Sequence, residues 1–383
     1  MSAIRVATFD GPGASPVIRE VARPRVSGKA ALVKFGACGV SATDVQILEW
    51  HWPTPLPWPL TLGHEIAGVI TEIGAELTED YMGNKLKAGS KILIPSLMPC
   101  GRCYTCTHDP RHANRCLTPT CYGRAFGFDK LPHLWGGFAE MGYVDRDMLP
   151  GTRLYKLPDD MPLWLATLVE PLTTCIRAWK RAQDIGQFTV GDTVVIQGSG
   201  PIGILAIVAA REMGAGRVII IGTPEEPRLR LCRQFGAEAT IDIAQHPTPD
   251  ERIEVVRETV GGSGADVVMD CTGDPSAGPE GVEMLRDGGS YVEMGQFADA
   301  GAIATNWHRF CAKDITILGS WAYAADDVAI GIRLLDRVRG RYPFARMQTR
   351  FPFSEQGIAD AIAAARAMRS VKSTIVPDPE IVD

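Results

Sequence analysis

Residues 194–203 read VVIQGSGPIG, and ILAIVAAREMGA follows without a break. An apolar, β-branched run that stops at glycines and resumes as a helix is the strand–turn–helix opening of a dinucleotide-binding unit. Gly198 permits a tight turn, Gly200 lets the backbone approach a pyrophosphate, and Gly203 lets helix and strand pack closely. Pro201 and Ile202 lie inside the turn, where the helix N-terminus attracts negative charge. A glycine turn alone is weak evidence, but RVIIIG at 217–222 supplies the second strand in the required order.

Downstream, DVVMD, SYVEMG and ITILGS alternate with helix-like stretches such as RLRLCRQFGA and SAGPEGVEMLRDGG. That alternation predicts an α/β, doubly wound parallel sheet over 172–320. Upstream, 1–171 is rich in glycine, proline and short runs such as AALVKFGA and IAGVITEIGA, which predict a mostly β domain. The tail, 321–383, holds two helix-like stretches, too little for a domain of its own, and is expected to return to the first domain.

A ribose 2′-hydroxyl is commonly gripped by an acid about twenty residues after the glycines. Here the second strand ends in Gly222-Thr223-Pro224-Glu225-Glu226-Pro227-Arg228. Thr223 or Gly222 takes the acid's place, so a 2′-phosphate meets no repulsion there and Arg228 or Arg230 can approach it. Glu225 and Glu226 in the same loop oppose that phosphate, and the balance favours NAD(H) over NADP(H).

The chain has 383 residues, 45% apolar and 22% charged, enough to bury two ordinary cores. Its formal charge of −6 carries no basic run, which excludes nucleic acid and anionic membrane as partners. The first residues, MSAIRVATFDGPG, lack an apolar stretch of signal-peptide length, so a cytoplasmic protein is expected. The longest apolar run, 194–210, is interrupted by glycine and polar positions and does not suit a membrane span.

Four of the ten cysteines, Cys100, Cys103, Cys106 and Cys116, form C-x2-C-x2-C-x9-C. Four thiolates at that spacing close a tetrahedron around Zn2+ with no open position, a structural site in a lobe over about 95–120. Cys121 is an alternative to Cys116, and His108 and His112 read as solvated loop residues. A second site is foreshadowed by GHE at 63–65. His64 and Glu65 are ligand types, and ACGVSATDV at 37–45 offers Cys38 or Ser41 as the upstream companion.

Together these motifs, with TLGHEIAGVI, WGGFAEMGYV and VEPLTTC, resemble the zinc-dependent alcohol dehydrogenase family of the medium-chain dehydrogenase/reductase superfamily. The resemblance spans nearly the whole chain. It implies a GroES-like catalytic domain, a Rossmann domain, and a cleft between them where a zinc-bound alcohol gives hydride to nicotinamide. It further implies a small-molecule alcohol/ketone substrate and a homodimer or homotetramer, pairing through ITILGSWAY at 315–323. In the family's pattern Thr43 and Asp44 match the Thr-Asp that follows the first catalytic ligand. Ser41 then stands in the place of that cysteine ligand, and Cys38 matches a packing cysteine. The remaining ligands implied are His64, Glu65 and Glu170, with Asp44 holding the His64 ring and Thr43 relaying the alcohol proton. Gln46 replaces a relay histidine, for which His51 is a nearby substitute.

Losing a thiolate weakens zinc binding, although two carboxylates still neutralise a divalent ion. Without metal, the same frame suits an NAD(P)H-dependent reductase of a carbonyl or activated C=C bond. A non-catalytic nucleotide-binding protein is a third reading, which the intact Thr43, Asp44, His64, Glu65 and Glu170 oppose. Trp50, Trp52, Trp58, Phe126, Trp135 and Trp321 are dense enough around the expected cleft to suggest a bulky or cyclic substrate.

Overall fold

The computed structural model describes residues 3–49, 52, 54–149 and 151–383, so the readings on Trp50 and His51 lie outside the described residues. The chain divides into two compact units. One comprises Met1–Glu170, Tyr323–Arg339 and Met347–Asp383, the other Pro171–Ala322 and Gly340–Arg346.

In the second unit six parallel strands lie in the order Ala239–Asp242, Arg217–Gly222, Thr193–Gln197, Ala265–Asp270, Leu285–Glu293, Thr316–Gly319. The central strands are buried almost end to end, which is why they read as continuous apolar runs rather than alternating ones. Gly198 has φ +108°, a left-handed conformation open to glycine. A side chain at Gly203 would collide with the Gly198 carbonyl. Helix Pro201–Glu212 starts at once, with Gly200 as its cap and proline in its first position.

The first unit is built on a seven-stranded sheet: Gln348–Pro352, Lys372–Val376, Ala30–Gly39, Glu65–Ile73, Lys91–Ile94 and Tyr155–Lys156, with Met141–Asp145 also paired to Ala30–Gly39. Its register positions the chemistry. Gly39 lies opposite Glu65 on one side and Thr374 on the other, and Cys38 opposite Ile66 and Ile375. Ile66, Phe35, Phe138 and Cys38 are part of the core beneath this sheet.

The tail supplies two strands to that sheet, yet residues 340–346 group with the nucleotide unit. There Tyr342 and Phe344 pack on Phe235 at ring separations of 5.9 and 5.4 Å, and the Tyr342 hydroxyl donates to Glu212 at 2.9 Å. Burying two large rings outweighs proximity along the chain. No helix among the described residues is long and apolar enough to cross a membrane.

Candidate active site

Helix Ala42–Leu48 begins at Ser41, whose Oγ accepts from the Thr43 amide at 3.2 Å, while the Asp44 carboxylate accepts from the Ser41 amide at 2.9 Å. This reciprocal cap gives both side chains a local reason to be where they are. Asp44 also accepts from the Gly63 amide at 3.1 Å and faces His64 Nδ1 at 3.5 Å. Burial pushes the Asp44 carboxyl up, but His64 and the backbone donors outweigh it and hold it below the usual range. For the His64 ring, burial favours the neutral form, and Asp44 outweighs burial so that its pKa is raised. With Nδ1 turned to Asp44, Nε2 is left for a ligand or substrate.

His64, Glu65 and Glu170 each present a donor atom within 4.8 Å of the others. Each of the two acids has a partner that sequence reasoning missed. Lys372, 2% exposed, donates to Glu65 Oε1 at 2.5 Å and to the Val40 carbonyl at 3.1 Å, and also pairs with Glu65 Oε2. Gly39 makes room for this pair, since a side chain there would strike Glu65. The Tyr323 hydroxyl accepts from the Ser96 amide at 3.0 Å and bonds Glu170. Burial and the Glu170 charge raise the Tyr323 pKa far above its ordinary value, so its proton stays and is donated to Glu170. A lysine inside the otherwise uncharged run KSTIV was the available signal for the first of these. Tyr323 carried no such signal: strand Thr316–Gly319 is the sheet edge, and Tyr323, the last residue of the apolar segment 315–323, belongs to the other unit.

Cys38 is not in the cluster. It is fully buried, its Sγ donates to the Gly39 carbonyl at 3.6 Å, and side chains at Gly63 or Gly137 would collide with it. Burial pushes this thiol well above its usual pKa, the reverse of what a metal ligand needs.

The four lobe cysteines do converge, with Cys103 Sγ at 3.5 Å from Cys106 Sγ and 3.8 Å from Cys116 Sγ. Backbone amides point at the sulfurs: Cys100 N–H to Cys116 at 3.2 Å, Cys103 N–H to Cys100 at 3.4 Å, Leu117 N–H to Cys103 at 3.5 Å. The Thr118 side chain and backbone donors lower the Cys100 thiol to about 5, while burial raises Cys106 to about 12. Cys121 lies outside the cluster in a two-residue strand paired with Leu97–Met98. His108 stacks on Tyr104 at 4.3 Å and His112 bonds Asp109 at 2.6 Å. Four clustered sulfurs fit a closed zinc site, and the buried His64 group with its oxygen donors fits a divalent ion.

At the glycine turn, Ser199 Oγ accepts from the Thr223 amide at 3.1 Å and donates to the Thr223 carbonyl at 3.0 Å. Ser199 fills the space beside Gly222 so completely that a side chain at 222 would overlap it. An acidic residue at 222 is thereby excluded. Arg228 is buried, and its Nη1 would lie 3.5 Å from a Cβ on Gly200. Glu225 pairs with Arg233, and Glu226 with Arg230 at 3.1 Å.

Two family models match the chain: "Alcohol dehydrogenase GroES-like domain" over residues 27–159 and "Zinc-binding dehydrogenase" over 201–337. The 5-exo-hydroxycamphor dehydrogenase of Pseudomonas putida is 32% identical over 354 residues, 92% of this chain and 91% of that protein. The chain belongs to the zinc-type medium-chain alcohol dehydrogenase family. An alcohol dehydrogenase structure from Thermotoga maritima superposes with TM-score 0.88 at 26% identity, covering 99% of this chain and 100% of that one. A zinc-binding dehydrogenase from Sinorhizobium meliloti, solved with NADP bound, gives TM-score 0.81 at 26% identity over 98% and 100% of the two chains. This dehydrogenase is thus an NAD(P)-dependent oxidoreductase acting on CH–OH groups.

The dehydrogenase places Thr43 half-buried in the first turn of helix Ala42–Leu48, and Gln46 one turn later with its Oε1 buried. Of the aromatic set, Trp135 is core, its Nε1 donating to the Lys130 carbonyl at 2.8 Å and its ring 4.9 Å from Phe126. Trp52, Trp58 and Phe126 are partly buried against the same core, and Trp321 is half-buried in the nucleotide unit.

Proposed function

We propose that this dehydrogenase interconverts a bulky or cyclic secondary alcohol and its ketone with NADP(H), at a divalent-metal site held by His64 and Glu170. The observation that carries the reading is the buried donor cluster in which every member has its own partner: Asp44 for His64, Tyr323 for Glu170, Lys372 for Glu65. A bound divalent ion supplies the electrophile that lowers an alcohol's pKa. Asp44 fixes the His64 tautomer, and Tyr323 keeps Glu170 ionised and oriented by hydrogen bonding to the charged form. Lys372 cancels the Glu65 charge, which leaves Glu170 as the carboxylate for the metal. Ser41 is committed to capping its helix, and Thr43, two residues on, carries the substrate proton. The Pseudomonas relative named for hydroxycamphor and the partly buried Trp52, Trp58 and Phe126 support a cyclic substrate.

The NADP(H) reading reverses the sequence-based preference for NAD(H). That preference rested on Glu225 and Glu226, and both are engaged by arginines, while the acid position is occupied by Ser199 packing on Gly222. Arg228 beside the glycine turn is the cation suited to a 2′-phosphate. Clustered thiols suit a reducing cytoplasm, and the half-exposed Ile317 on edge strand Thr316–Gly319 suits pairing into a homodimer or homotetramer.

Metal analysis of protein purified without chelator tests the first reading: about two ions per chain are expected, and one ion per chain with ketone reduction intact would favour the metal-independent reductase. For the cofactor, Arg228→Ala is expected to weaken NADPH by roughly tenfold or more with NADH little changed, since a lost charged hydrogen bond is worth about 1.5–3 kcal/mol. Equal losses for the two cofactors would return the preference to NAD(H).

A further inference from the structure

Arg124 differs from several arginines of its unit and shares with half-buried Arg153, which lies over the Tyr81 ring at 4.8 Å, a place on an aromatic face. Arg5, Arg19 and Arg23 are paired with Glu140, Asp10 and Glu72 at 2.6–2.9 Å. Arg124 is half-buried, and among the described residues no carboxylate is paired with its guanidinium. Its side chain lies instead over the Trp52 ring, 5.2 Å from the centroid.

The backbone fixes where this cation sits. Gly123 has φ +87° and donates its amide to the Trp135 carbonyl at 2.7 Å. It presses against the residue before His64 so closely that a Cβ on Gly123 would lie 2.7 Å from the Gly63 carbonyl oxygen. Arg124 and His64 are therefore the next residues along two touching backbones.

A half-buried guanidinium without an acid is a costly arrangement unless something negative arrives. Stacking on Trp52 uses the face of the guanidinium and leaves its edge N–H groups for a planar oxyanion, which arginine binds with two parallel hydrogen bonds. The neighbourhood is also less negative than its two acids alone would make it, because Lys372 pairs with Glu65, and Ser41 is neutral where the family pattern has a cysteine. Both features favour an anionic ligand over a neutral one.

We propose that the substrate carries an oxyanion, a carboxylate or phosphoryl group, which docks on the edge of Arg124 beside His64 while Trp52 backs the guanidinium. The proposal rests on the reading of the His64 cluster as the place of reaction, and it narrows the cyclic alcohol/ketone to one bearing an acid group.

Binding separates this from turnover. Calorimetry of the NADP(H)-loaded enzyme with cyclohexanecarboxylate, cyclohexylphosphonate and cyclohexanemethanol is expected to show one of the anions at least roughly tenfold tighter than the alcohol, the effect of a charge-assisted contact. Which anion wins distinguishes carboxylate from phosphoryl. R124Q is expected to reduce that margin to about threefold or less, and R124K to retain an intermediate margin. Equal binding of all three probes, no binding of either anion, or a margin that survives R124Q would overturn the proposal, as would R124Q weakening NADPH in place of the anion. Reduction of cyclohexanone, scored separately, bears on the catalytic reading alone: its absence with the anion margin intact would sink that reading and leave the anion site standing.

Discussion

The cysteine lobe and the His64 cluster are both groups of metal-ligating side chains, built on opposite plans. The lobe draws its four sulfurs from seventeen consecutive residues, Cys100 to Cys116, and surrounds them with backbone amides of the same loop. The cluster draws on residues 44, 64–65, 170, 323 and 372, and its donors are held by side chains. On the proposed reading, a zinc ion holds the loop of the lobe together. In the cluster a sheet register and three buried partners hold the donors.

Removing a lobe sulfur should produce the largest effect. Cys103→Ser is expected to lose about one zinc per chain and to unfold the lobe, because metal binding at such sites is itself folding energy, on the order of 10 kcal/mol in small zinc modules. Proteolysis across 95–120 with zinc analysis reads this out, and a variant that keeps its zinc and resists cleavage would show the lobe to be preorganised after all. Lys372→Met comes next. It leaves Glu65 charged and buried without its cation, an expected loss of about 3–5 kcal/mol in urea unfolding. Adding Glu65→Gln should recover much of it. A single-variant loss below about 1 kcal/mol would mean water reaches the pair, and the cluster would then be no better preorganised than the lobe. The smallest effect is expected for Ser41→Ala, roughly 1 kcal/mol from the lost helix cap, with metal content unchanged. If the metal falls to one ion per chain, Ser41 is a ligand and its capping role is secondary.

The same contrast explains what could be read in advance. The glycine turn, the alternating strands and helices, and the cysteine spacing are local patterns, and the fold class follows from them. Cys38 and Ser41 are three residues apart and the choice between them needed a family pattern, since spacing to His64 favours neither. The packing of Cys38 against Gly63 and Gly137 gives the physical counterpart of that choice. Glu225 and Glu226 show the limit of reading charges along the chain. Their sign was plain, but their pairing with Arg233 and Arg230 depends on how the loop turns back on its helix.

By itself the sequence determined the fold class and the parallel nucleotide-binding sheet, and it pointed to the four cysteines and to the histidine and two acids that lie together in the fold. These follow from periodicity, glycine geometry and ligand type, which are properties of neighbouring residues. Only the tertiary structure decided that Lys372 meets Glu65 across 307 positions, that Tyr323 bonds Glu170, and that Arg124 lies over the Trp52 ring with no paired acid among the described residues. A buried charge is stable only beside a compensating group, and which group that is depends on strand register and backbone contact between distant segments rather than on order along the chain.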